Sequence, residues 1–424
     1  MNFPAYSLIV YEDYHWINFL PLVYFRPIQE LLCGGGSLFS RVEILAQQPI
    51  QLWCRPSLEE TLLERGNLAV NQPVHPEQMA LFLNGRGLWS SLPSIDNSPH
   101  SEGWVGVDSS GEVACVALPA SVAECFSPST FLDEQFLHRQ IQHLPRVNVS
   151  RCVRLMRWPW ELIHTNAITL MEDWEFRQHA PTLEGCIMEG VHLLSRDQIH
   201  VGKGCKIYPC VVIDAEAGPV VLEEGVTVMP HSFIQGPAHI GKNTLLQTGA
   251  VIRGGTTIGP VCKVGGEVEG SIIHGYSNKQ HDGFLGHSYL GEWINIAADC
   301  INSDLKNTYG TIRVPINGVP VETGEIFMGM LVGDHSKIGI NVSIPTGAVV
   351  GVSSSVFDPA CPKFVPSFSW VEKEGTATYE INRAVEVARK MMARRRKMMT
   401  AAMEALFRVT QQESLAREFH LQSC

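Results

Sequence analysis

The sequence has no Cys-x-x-Cys pair, no apolar run long enough to cross a bilayer, and no excess of positive charge. Its twelve cysteines are scattered along the chain, which favours reduced, buried thiols over a disulfide framework. A membrane helix needs roughly 18 consecutive apolar residues, and no stretch reaches that length. The net charge of −11 argues against nucleic acid as the main partner, because phosphate binding requires a basic surface. These absences predict a soluble, cytoplasmic protein with neither a nucleic-acid nor a membrane partner.

A repeat of six residues runs through the middle of the chain. A period of six fits neither a helix nor a simple alternating strand, but it fits short strands joined by tight turns, three to a triangular coil. The sequence therefore predicts a parallel β-helix, or prism, from about Val201 to Val356, in which the repeated residue points inward. The inward positions are predicted to be Val201, Ile207, Ile213, Leu222, Val228, Ile234, Ile240, Leu246, Ile252, Ile258, Val264, Phe284, Leu290, Ile296, Val332, Ile338, Ile344, Val350 and Val356.

Three regions are expected from the patterning of the 424 residues. Residues 1–180 lack the repeat and read as an α/β domain, residues 181–372 form the prism, and residues 373–424 carry helical periodicity as a C-terminal α-helical tail. Within the prism, Leu305 to Met330 breaks the repeat and predicts a loop inserted at one corner. In the tail, the basic run 394–397 is predicted to be a solvated helix face.

An α/β domain followed by a hexapeptide prism resembles the bacterial bifunctional N-acetylglucosamine-1-phosphate uridylyltransferase and glucosamine-1-phosphate acetyltransferase family, in a divergent branch of sugar nucleotidyltransferases. The specific motif is the stretch Ser277 to Gly286, which is similar to the family's Gly-Ser-Lys-x-x-His-x-x-Tyr-[IL]-Gly. The resemblance implies a nucleotidyltransferase-like α/β domain, a left-handed prism, a homotrimer, and acyl transfer from acetyl-CoA to an amino sugar phosphate or a nucleotide sugar.

The same resemblance assigns roles to individual residues of the prism. His281 takes the position of the catalytic base, and a histidine suits it because its unperturbed pKa lies near 6.5. The acceptor side is implied to comprise Arg253 as a phosphate anchor, Phe284 in place of a tyrosine, Asn295, Asp304 in place of an asparagine, and Lys306. The acetyl-CoA side is implied to comprise Ala298, Met330 and Gly351.

The N-terminal resemblance is carried by Pro21 to Pro27, which is similar to the Pro-Leu-Thr-x-x-x-Pro-Lys of sugar nucleotidyltransferases. It implies that Arg26 and Asn84 contact a nucleotide. The family's glycine-rich turn is missing, Ile28 replaces its lysine, and Arg86 stands where a carboxylate would hold Mg²⁺. Nucleotidyl transfer that depends on Mg²⁺ is therefore expected to be weak or absent.

A second glycine-rich segment, Gly34 to Gly36, lacks the lysine and the serine or threonine of a phosphate-binding P-loop. We interpret it as a turn.

Two other functions remain open on the sequence alone. The chain is alternatively a sugar-1-phosphate nucleotidyltransferase whose prism serves only trimerisation and regulation. A zinc site shared between subunits is the other alternative, with His274, His281, His287 and His335 as available ligands. Because no ligand spacing matches that of such a site, no metal ligand is predicted.

Overall fold

The computed structural model describes residues 6–66, 68–74, 79–94 and 102–418. Its chain separates into two compact units. The first comprises residues 1–19, 25–31 and 36–158, and the second comprises residues 20–24, 32–35 and 159–424. Two short segments of the N-terminal sequence thus belong to the second unit, together with the helix that starts at Pro159. The expected three-part division at residues 180 and 372 stays a prediction.

The first unit is built on a seven-stranded, mostly parallel sheet. Its central strand, Ser7–Tyr11, pairs in parallel with a strand on either side, and Leu8, Ile9 and Val10 are at most 2% exposed. Such continuous apolar runs are typical of strands that are covered on both faces. In spatial order the strands are Arg146–Asn148, Trp104–Val107, Val113–Leu118, Ala80–Asn84, Ser7–Tyr11, Ile50–Trp53 and Ala69–Val70.

Short helices and turns surround this sheet. The α-helices are α1 (Leu38–Ala46), α2 (Glu59–Leu63), α3 (Ala120–Ala123), α4 (Pro128–Leu132) and α5 (Glu134–Ile141). The 3₁₀ turns are Tyr14–Phe19, Ile28–Glu30 and Pro56–Leu58, and the short strands outside the main sheet are Gly36–Ser37, Gly87–Trp89 and Val153–Leu155. An aromatic cluster that includes Trp53, Phe82 and Phe131 lies in the core. The first unit is an α/β domain, as predicted.

The second unit is a parallel β-helix, which confirms the predicted fold class. Its first face contains Thr182–Leu183, Ile199–Val201, Val220–Leu222, Ala238–Ile240, Thr256–Ile258, Ile272–Ile273, Tyr289–Leu290, Met330–Val332, Ala348–Val350 and Phe364–Val365. Its second face contains Cys186–Ile187, Lys206–Ile207, Thr227–Val228, Leu245–Leu246, Lys263–Val264, Asn278–Lys279, Asn295–Ile296, Lys337–Ile338, Ser355–Val356, Ser369–Glu372 and Gly375–Thr378. Its third face contains His192–Leu194, Val212–Asp214, Phe233–Gln235, Val251–Ile252, Glu267–Glu269 and Phe284–Gly286, and the pair Ile301–Asn302 and Ser343–Ile344 follows farther along.

The interior of the prism is filled by the residues that recur along each face. Leu246, Ile252, Ile258 and Val264 are fully buried in one apolar cluster, as the six-residue step predicts. The prediction was wrong at Phe284, because the register aligns Leu285 with Val268 and places Leu285 inside. Coils shorten after Val264, so a strict step of six no longer identifies the inward residue. Polar side chains also take inward positions, since Lys279 aligns with Val264 and Asn302 aligns with Ile344.

The predicted insertion leaves the coil between the third and the first face. It contains the antiparallel hairpin of Arg313–Ile316 with Val319–Glu322 before the chain returns at Met330–Val332. Two hydrogen bonds hold the returning chain at its base, from Met328 N–H to the Asp304 carbonyl and from Gly329 N–H to the His287 carbonyl, both at 2.8 Å. The insertion therefore belongs to the corner that carries His287.

Three α-helices complete the second unit: α6 (Pro159–Phe176), α7 (Ile381–Ala393) and α8 (Ala401–Glu418). A 3₁₀ turn, Arg196–Gln198, and the short strand Leu32–Cys33 also belong to it. The Glu380 carboxylate caps α7 by accepting hydrogen bonds from the N–H groups of Asn382 and Arg383. The buried residues of α7 are Ala384, Val385, Ala388 and Met392, which form the apolar stripe that the sequence predicts. Across the described ranges, no helix is both long and apolar enough to span a membrane.

The two N-terminal segments of the second unit are held by side chains far along the chain. The Tyr24 hydroxyl donates to the Glu418 carboxylate at 2.8 Å, and Ser367 N–H and Oγ donate to the same carboxylate. The N–H groups of Gly34 and Gly35 donate to Asn166 Oδ1 and Asp173 Oδ2 on α6, each at 2.7 Å. These glycine amides bond to α6, and the segment is the turn that the sequence indicates.

Candidate functional site

A histidine and a carboxylate meet at the corner between the third and first faces. His287 follows Phe284–Gly286 and Asp304 follows Ile301–Asn302, so the two residues stand 17 positions apart, which is one coil. The His287 Nδ1–H donates to Asp304 Oδ2 at 2.8 Å, and the two side chains are 23% and 14% exposed. His287 has a left-handed backbone with φ of 42°. The side-chain bond holds the ring in one orientation while part of it still faces solvent.

This pairing fixes the proton arrangement of the ring. When Nδ1 carries the proton donated to Asp304, Nε2 of the neutral ring is an acceptor with its lone pair available. A carboxylate behind the imidazole also stabilises the cation that forms when Nε2 takes a proton. The geometry therefore suits His287 for general-base work, and Asp304 for positioning it.

The walls of this corner come from the insertion and from α6. The Phe327 ring lies 5.2 Å from the His287 ring, and the His164 ring lies 6.2 Å from it. His164 Nε2 is 3.9 Å from Glu325 Oε2, while burial lowers the pKa of His164. The insertion and α6 thus partly enclose the His287 ring.

His281, the predicted base, has different surroundings. Its side chain is exposed and makes no hydrogen bond within the described ranges, and it lies at the corner between the second and third faces. Its carbonyl accepts from Lys279 Nζ at 3.0 Å, and Gly265 accepts from the same nitrogen at 2.8 Å. Lys279, the flanking residue of the motif, is thus buried inside the prism, where it holds the turn that presents His281. The insertion borders His287.

A cleft lies on the second face, beneath α7. Its volume is 310 Å³, and Asn295, one of the predicted acceptor residues, lines it together with Lys263 and Lys337. These three residues occupy one outward row of the face, because Lys263 pairs with Asn278, Asn278 with Asn295, and Asn295 with Lys337. The α7 side contributes Lys390, Arg394 and Arg395, and Arg395 donates to Asn278 Oδ1 at 2.7 Å.

The prediction that the basic run 394–397 is a solvated face was therefore wrong for Arg395, which is half-buried against the prism.

The other predicted acceptor residues are dispersed. Arg253 is exposed and its Nε lies 2.5 Å from Glu267 Oε1. Phe284 is half-buried on the third face, and Lys306 donates from Nζ to the Thr311 carbonyl within the insertion. Asp304 contacts His287, so its carboxylate is engaged with the ring.

The predicted acetyl-CoA residues divide into one outward position and two interior ones. Ala298 is half-buried, and its carbonyl accepts from Asn341 N–H at 3.0 Å. Met330 is 1% exposed and belongs to the apolar interior of the prism. A Cβ added at Gly351 would lie 2.3 Å from the Ser367 nitrogen, so this glycine serves close packing between coils. These surroundings argue against a ligand contact by either residue, and the assignment of Met330 and Gly351 to acetyl-CoA stays a prediction.

In the first unit, the edge at which Arg86 replaces the carboxylate implied by the resemblance is closed by an ion-pair cluster. Arg86 is 1% exposed; its Nη2 lies 2.7 Å from Asp13 Oδ2 and 2.6 Å from Glu112 Oε1, and its Nη1 donates to the Met156 carbonyl. Burial alone would raise the pKa of Asp13, but Arg86 and a bond from Asn84 hold it below its usual value. The carboxylates that a cation would need are thus neutralised by a buried guanidinium, and this edge does not fit a magnesium site.

The two predicted nucleotide contacts belong to the interior of this unit. Asn84 donates from Nδ2 to Asp13 Oδ2 and to the Val113 carbonyl, and its Oδ1 accepts from Arg86 N–H. Arg26 is 4% exposed, and its carbonyl accepts from Arg55 Nη2 at 3.2 Å. Both residues are buried, which argues against nucleotide contact, and their assignment to nucleotide binding stays a prediction.

The four histidines of the zinc alternative have separate surroundings. His274 Nε2 lies 3.0 Å from the Tyr289 hydroxyl, and the His335 ring lies 4.9 Å from the Phe407 ring. Among the residues that the structure describes, no group of three or more histidine, cysteine or acidic side chains is arranged to hold a metal ion.

Part of the chain is similar to proteins of known name. A family model described as sugar nucleotidyl transferase matches residues 8–181. A bifunctional sugar-1-phosphate nucleotidylyltransferase/acetyltransferase of Sulfurisphaera tokodaii is 28% identical over 145 residues, which are 34% of this chain and 36% of that protein. The bifunctional protein GlmU of Methanococcus maripaludis is 32% identical over 141 residues, which are 33% of this chain and 34% of that protein. Part of the chain is thus similar to sugar nucleotidyl transferases and to GlmU-like bifunctional proteins.

The extent of these matches is limited. The chain spans about a third of the length of the curated relatives it matches. A crystal structure of UDP-N-acetylglucosamine acyltransferase aligns with a TM-score of 0.30 at 16% identity, over 45% of this chain and 71% of the other.

Sequence reasoning missed the partner of His287. The signal was present in the spacing, because coils of 17 residues place position 287 next to position 304, just as they place Asn278 next to Asn295. The cleft under α7 had no comparable signal, since Asn278 and Arg395, which bond across it, are 117 positions apart in sequence.

Proposed function

We propose that the prism is an acyl-CoA-dependent N-acyltransferase acting on an amino sugar phosphate or a nucleotide sugar, with His287 as the general base. The observation that carries the proposal is the 2.8 Å bond between His287 and Asp304 at the base of the insertion. The names of relatives that include acetyltransferase activity agree with this chemistry. His281, the base implied by resemblance, is the competing candidate.

In the proposed reaction, the neutral amine of the acceptor attacks the thioester carbonyl carbon and forms the new C–N bond. His287 Nε2 takes the amine proton, and Asp304 stabilises the imidazolium. The carbon–sulfur bond then breaks, and the CoA thiolate leaves and takes the proton back. A placed general base contributes roughly 10²–10⁴-fold to such a step.

A homotrimer is part of the proposal. Several large apolar side chains on the outside of the prism are exposed, among them Ile301 at 52%, Ile340 at 66% and Phe357 at 45%. Packing three copies around a closed symmetry axis is a common way to bury such surface. Light scattering on the purified chain should give about three times 46.9 kDa, and a monomer at micromolar concentration would contradict this part of the proposal.

The test is release of CoA thiol from acetyl-CoA in the presence of a panel of amino sugars, amino sugar phosphates and nucleotide sugars. The variant His287→Ala should lower kcat by roughly 10² or more without changing the oligomeric state. Asp304→Asn should act in the same direction, because it removes the charge that stabilises the imidazolium. Arg253→Ala should instead raise KM for a phosphorylated acceptor, since a charged hydrogen bond contributes about 1.5–3 kcal/mol.

The matched control is His281→Ala, since both histidines lie at corners of the same coil. If His281→Ala abolishes turnover while His287→Ala retains it, the base implied by resemblance is the right one. If neither variant changes a measurable rate, the prism is better regarded as a scaffold.

A nucleotidyltransferase with a structural prism is the second candidate, because a sugar nucleotidyl transferase model matches residues 8–181. The closed Arg86 cluster argues against catalysis that depends on Mg²⁺ in this unit. We propose that the first unit is a divergent member that lacks this reaction. Thiol release with no pyrophosphate release would support the acyltransferase, and the reverse pattern would support the second candidate.

A further inference from the structure

The cleft beneath α7 concentrates positive charge in a protein whose net charge is −11. Five cationic side chains line it: Lys263, Lys337, Lys390, Arg394 and Arg395. None of the residues described around the cleft is acidic. Lys390 pairs with Glu386 outside the cleft, at 2.6 Å. For the other four, the structure gives no carboxylate within ion-pair distance in the described ranges, so their charge remains available to an anion.

One of these cations is enclosed by the fold. Lys337 occupies the outward row of the second face, and its Nζ donates to the His335 carbonyl at 2.5 Å. Burial lowers its pKa to about 8, because the ammonium is desolvated without a counter-ion. An anion in the cleft would offset that cost.

The wall of the cleft also contains aromatic surface. Tyr276 and Trp293 line it and stack on each other, with ring centroids 4.3 Å apart and an interplanar angle of 10°. Trp293 is 5% exposed and packs against one face of the half-buried Tyr276 ring. Lys397 Nζ lies 5.8 Å from the centre of the Tyr276 ring, within the range of a cation–π contact. A flat apolar group fits against such a ring.

We propose that this cleft binds a nucleoside diphosphate group, with the phosphates at the cations and the base at Tyr276. The volume of 310 Å³ falls at the lower end of the range for small-molecule sites, roughly 300–1,000 Å³. Arginine and lysine side chains are the usual protein ligands of phosphate oxygens. Both CoA and nucleotide sugars carry this group.

The cleft is distinct from the corner of His287 within one chain. It lies on the second face, and His287 lies between the third and first faces, on the opposite side of the triangular coil. The inference therefore does not depend on acyl transfer at His287. It adds a second ligand site whose two sides are the prism and the tail helix.

The experiment is calorimetric titration of the full chain with CoA, UDP, pyrophosphate and inorganic phosphate. A nucleoside diphosphate should bind more tightly than pyrophosphate. The tighter binder of CoA and UDP shows whether the cleft takes the diphosphate of CoA or that of a nucleotide sugar. Arg394→Gln should weaken binding roughly tenfold, as expected for a lost charged hydrogen bond. The matched control is Arg396→Gln, which removes the same charge two residues along, at an exposed position outside the cleft.

A second variant, Tyr276→Asn, tests the aromatic contact at a residue with φ of 60°, a conformation that asparagine tolerates. It should reduce the preference for UDP or CoA over pyrophosphate and leave pyrophosphate binding unchanged. Equal affinity for UDP and pyrophosphate in the wild type would overturn the nucleoside assignment. Equal weakening by Arg394→Gln and Arg396→Gln, or no binding of any probe, would overturn the site.

Repeating the titration with His287→Ala separates this inference from the proposed function. Binding should persist at the wild-type affinity even when thiol release is lost. Loss of binding in His287→Ala would mean that the ligand sits at the corner and would overturn the cleft assignment.

Discussion

The two units both bury positive charge, but they neutralise it differently. In the first unit, Arg86 is enclosed with Asp13 and Glu112, and Arg55 Nε lies 3.0 Å from Glu12 Oε2. In the second unit, the cations of the cleft have few acidic partners. A buried cation that is paired with carboxylates of the fold holds one conformation and has no charge left to bind a ligand. A cation without such a partner lowers stability but can still bind an anion. In the proposal of an anion site, the cleft cations of the second unit supply the unmatched charge that the closed Arg86 cluster of the first unit does not.

The strongest test of this contrast is to remove Arg86 from its cluster with Asp13 and Glu112. Arg86→Ala should lower the free energy of unfolding by about 3–5 kcal/mol, because it leaves the Asp13 carboxylate buried without its partner. Urea denaturation monitored by circular dichroism measures this change. The control is Arg154→Ala, which removes an exposed arginine of the same unit and should have little effect. A loss below about 1 kcal/mol for Arg86→Ala would contradict the structural role of the cluster.

Lys279 is an intermediate case, since its partners are carbonyl groups alone. Burial lowers its pKa in the folded chain to about 8, whereas an unfolded lysine titrates near 10.4. Between these values the unfolded chain binds more protons, so this lysine makes the fold more stable as pH rises from about 8 to about 10.4. The rise of stability should be smaller by about 1–3 kcal/mol in Lys279→Met, where other buried lysines such as Lys337 still contribute.

Urea unfolding of both proteins across that pH range gives the difference. Lys263→Met serves as the control, because it removes a lysine from an outward position one coil away. If Lys279→Met keeps the same rise of stability with pH as the wild type, Lys279 does not titrate inside the prism.

A cation of the cleft that has no acidic partner should contribute little to the free energy of unfolding, in contrast to Arg86. Arg394→Ala should change the free energy of unfolding by no more than about 0.5 kcal/mol, because the side chain is exposed. The same denaturation assay measures it. A loss as large as that of Arg86→Ala would show that the cleft is a structural cluster, and the comparison between the two units would fail.

The smallest expected effect is that of Mg²⁺. Adding Mg²⁺ with UTP and a sugar phosphate should produce no pyrophosphate above the level without enzyme, since Arg86 neutralises the carboxylates that a cation would need. A coupled pyrophosphate assay, with an active nucleotidyltransferase as positive control, measures this. Robust release would restore catalysis to the first unit.

Much of the fold was predictable because a narrow prism accepts few side chains at its interior positions. Ile252, Ile258 and Val264 recur at the spacing that the coil dictates, and each is fully buried. The prediction failed at Phe284, because turns between faces vary in length and shift the phase by a residue. Lys279 and Asn302 were missed as inward residues, since their polar groups are bonded within the coil to backbone that the repeat does not reveal.

The site was less predictable than the fold. The motif around His281 is local, and local similarity assigned the base, whereas the His287–Asp304 bond depends on coil length and on where the insertion leaves. The cleft depends on how α7 docks against the second face, and its amphipathic stripe specifies only that one side is buried. In the first unit, Asn84 was predicted to contact a nucleotide, but a buried arginine two residues later redirects its hydrogen bonds.

The bond from Tyr24 to Glu418 has a consequence for the order in which the protein is made. Its two residues are separated by 394 positions, so on the ribosome Tyr24 emerges long before the carboxylate that it contacts exists. At a synthesis rate of roughly 5–20 residues per second, the delay is roughly 20 to 80 seconds. Residues 20–24 must spend that time without their final partners while later coils are added. The second unit is therefore completed only after translation has passed Glu418.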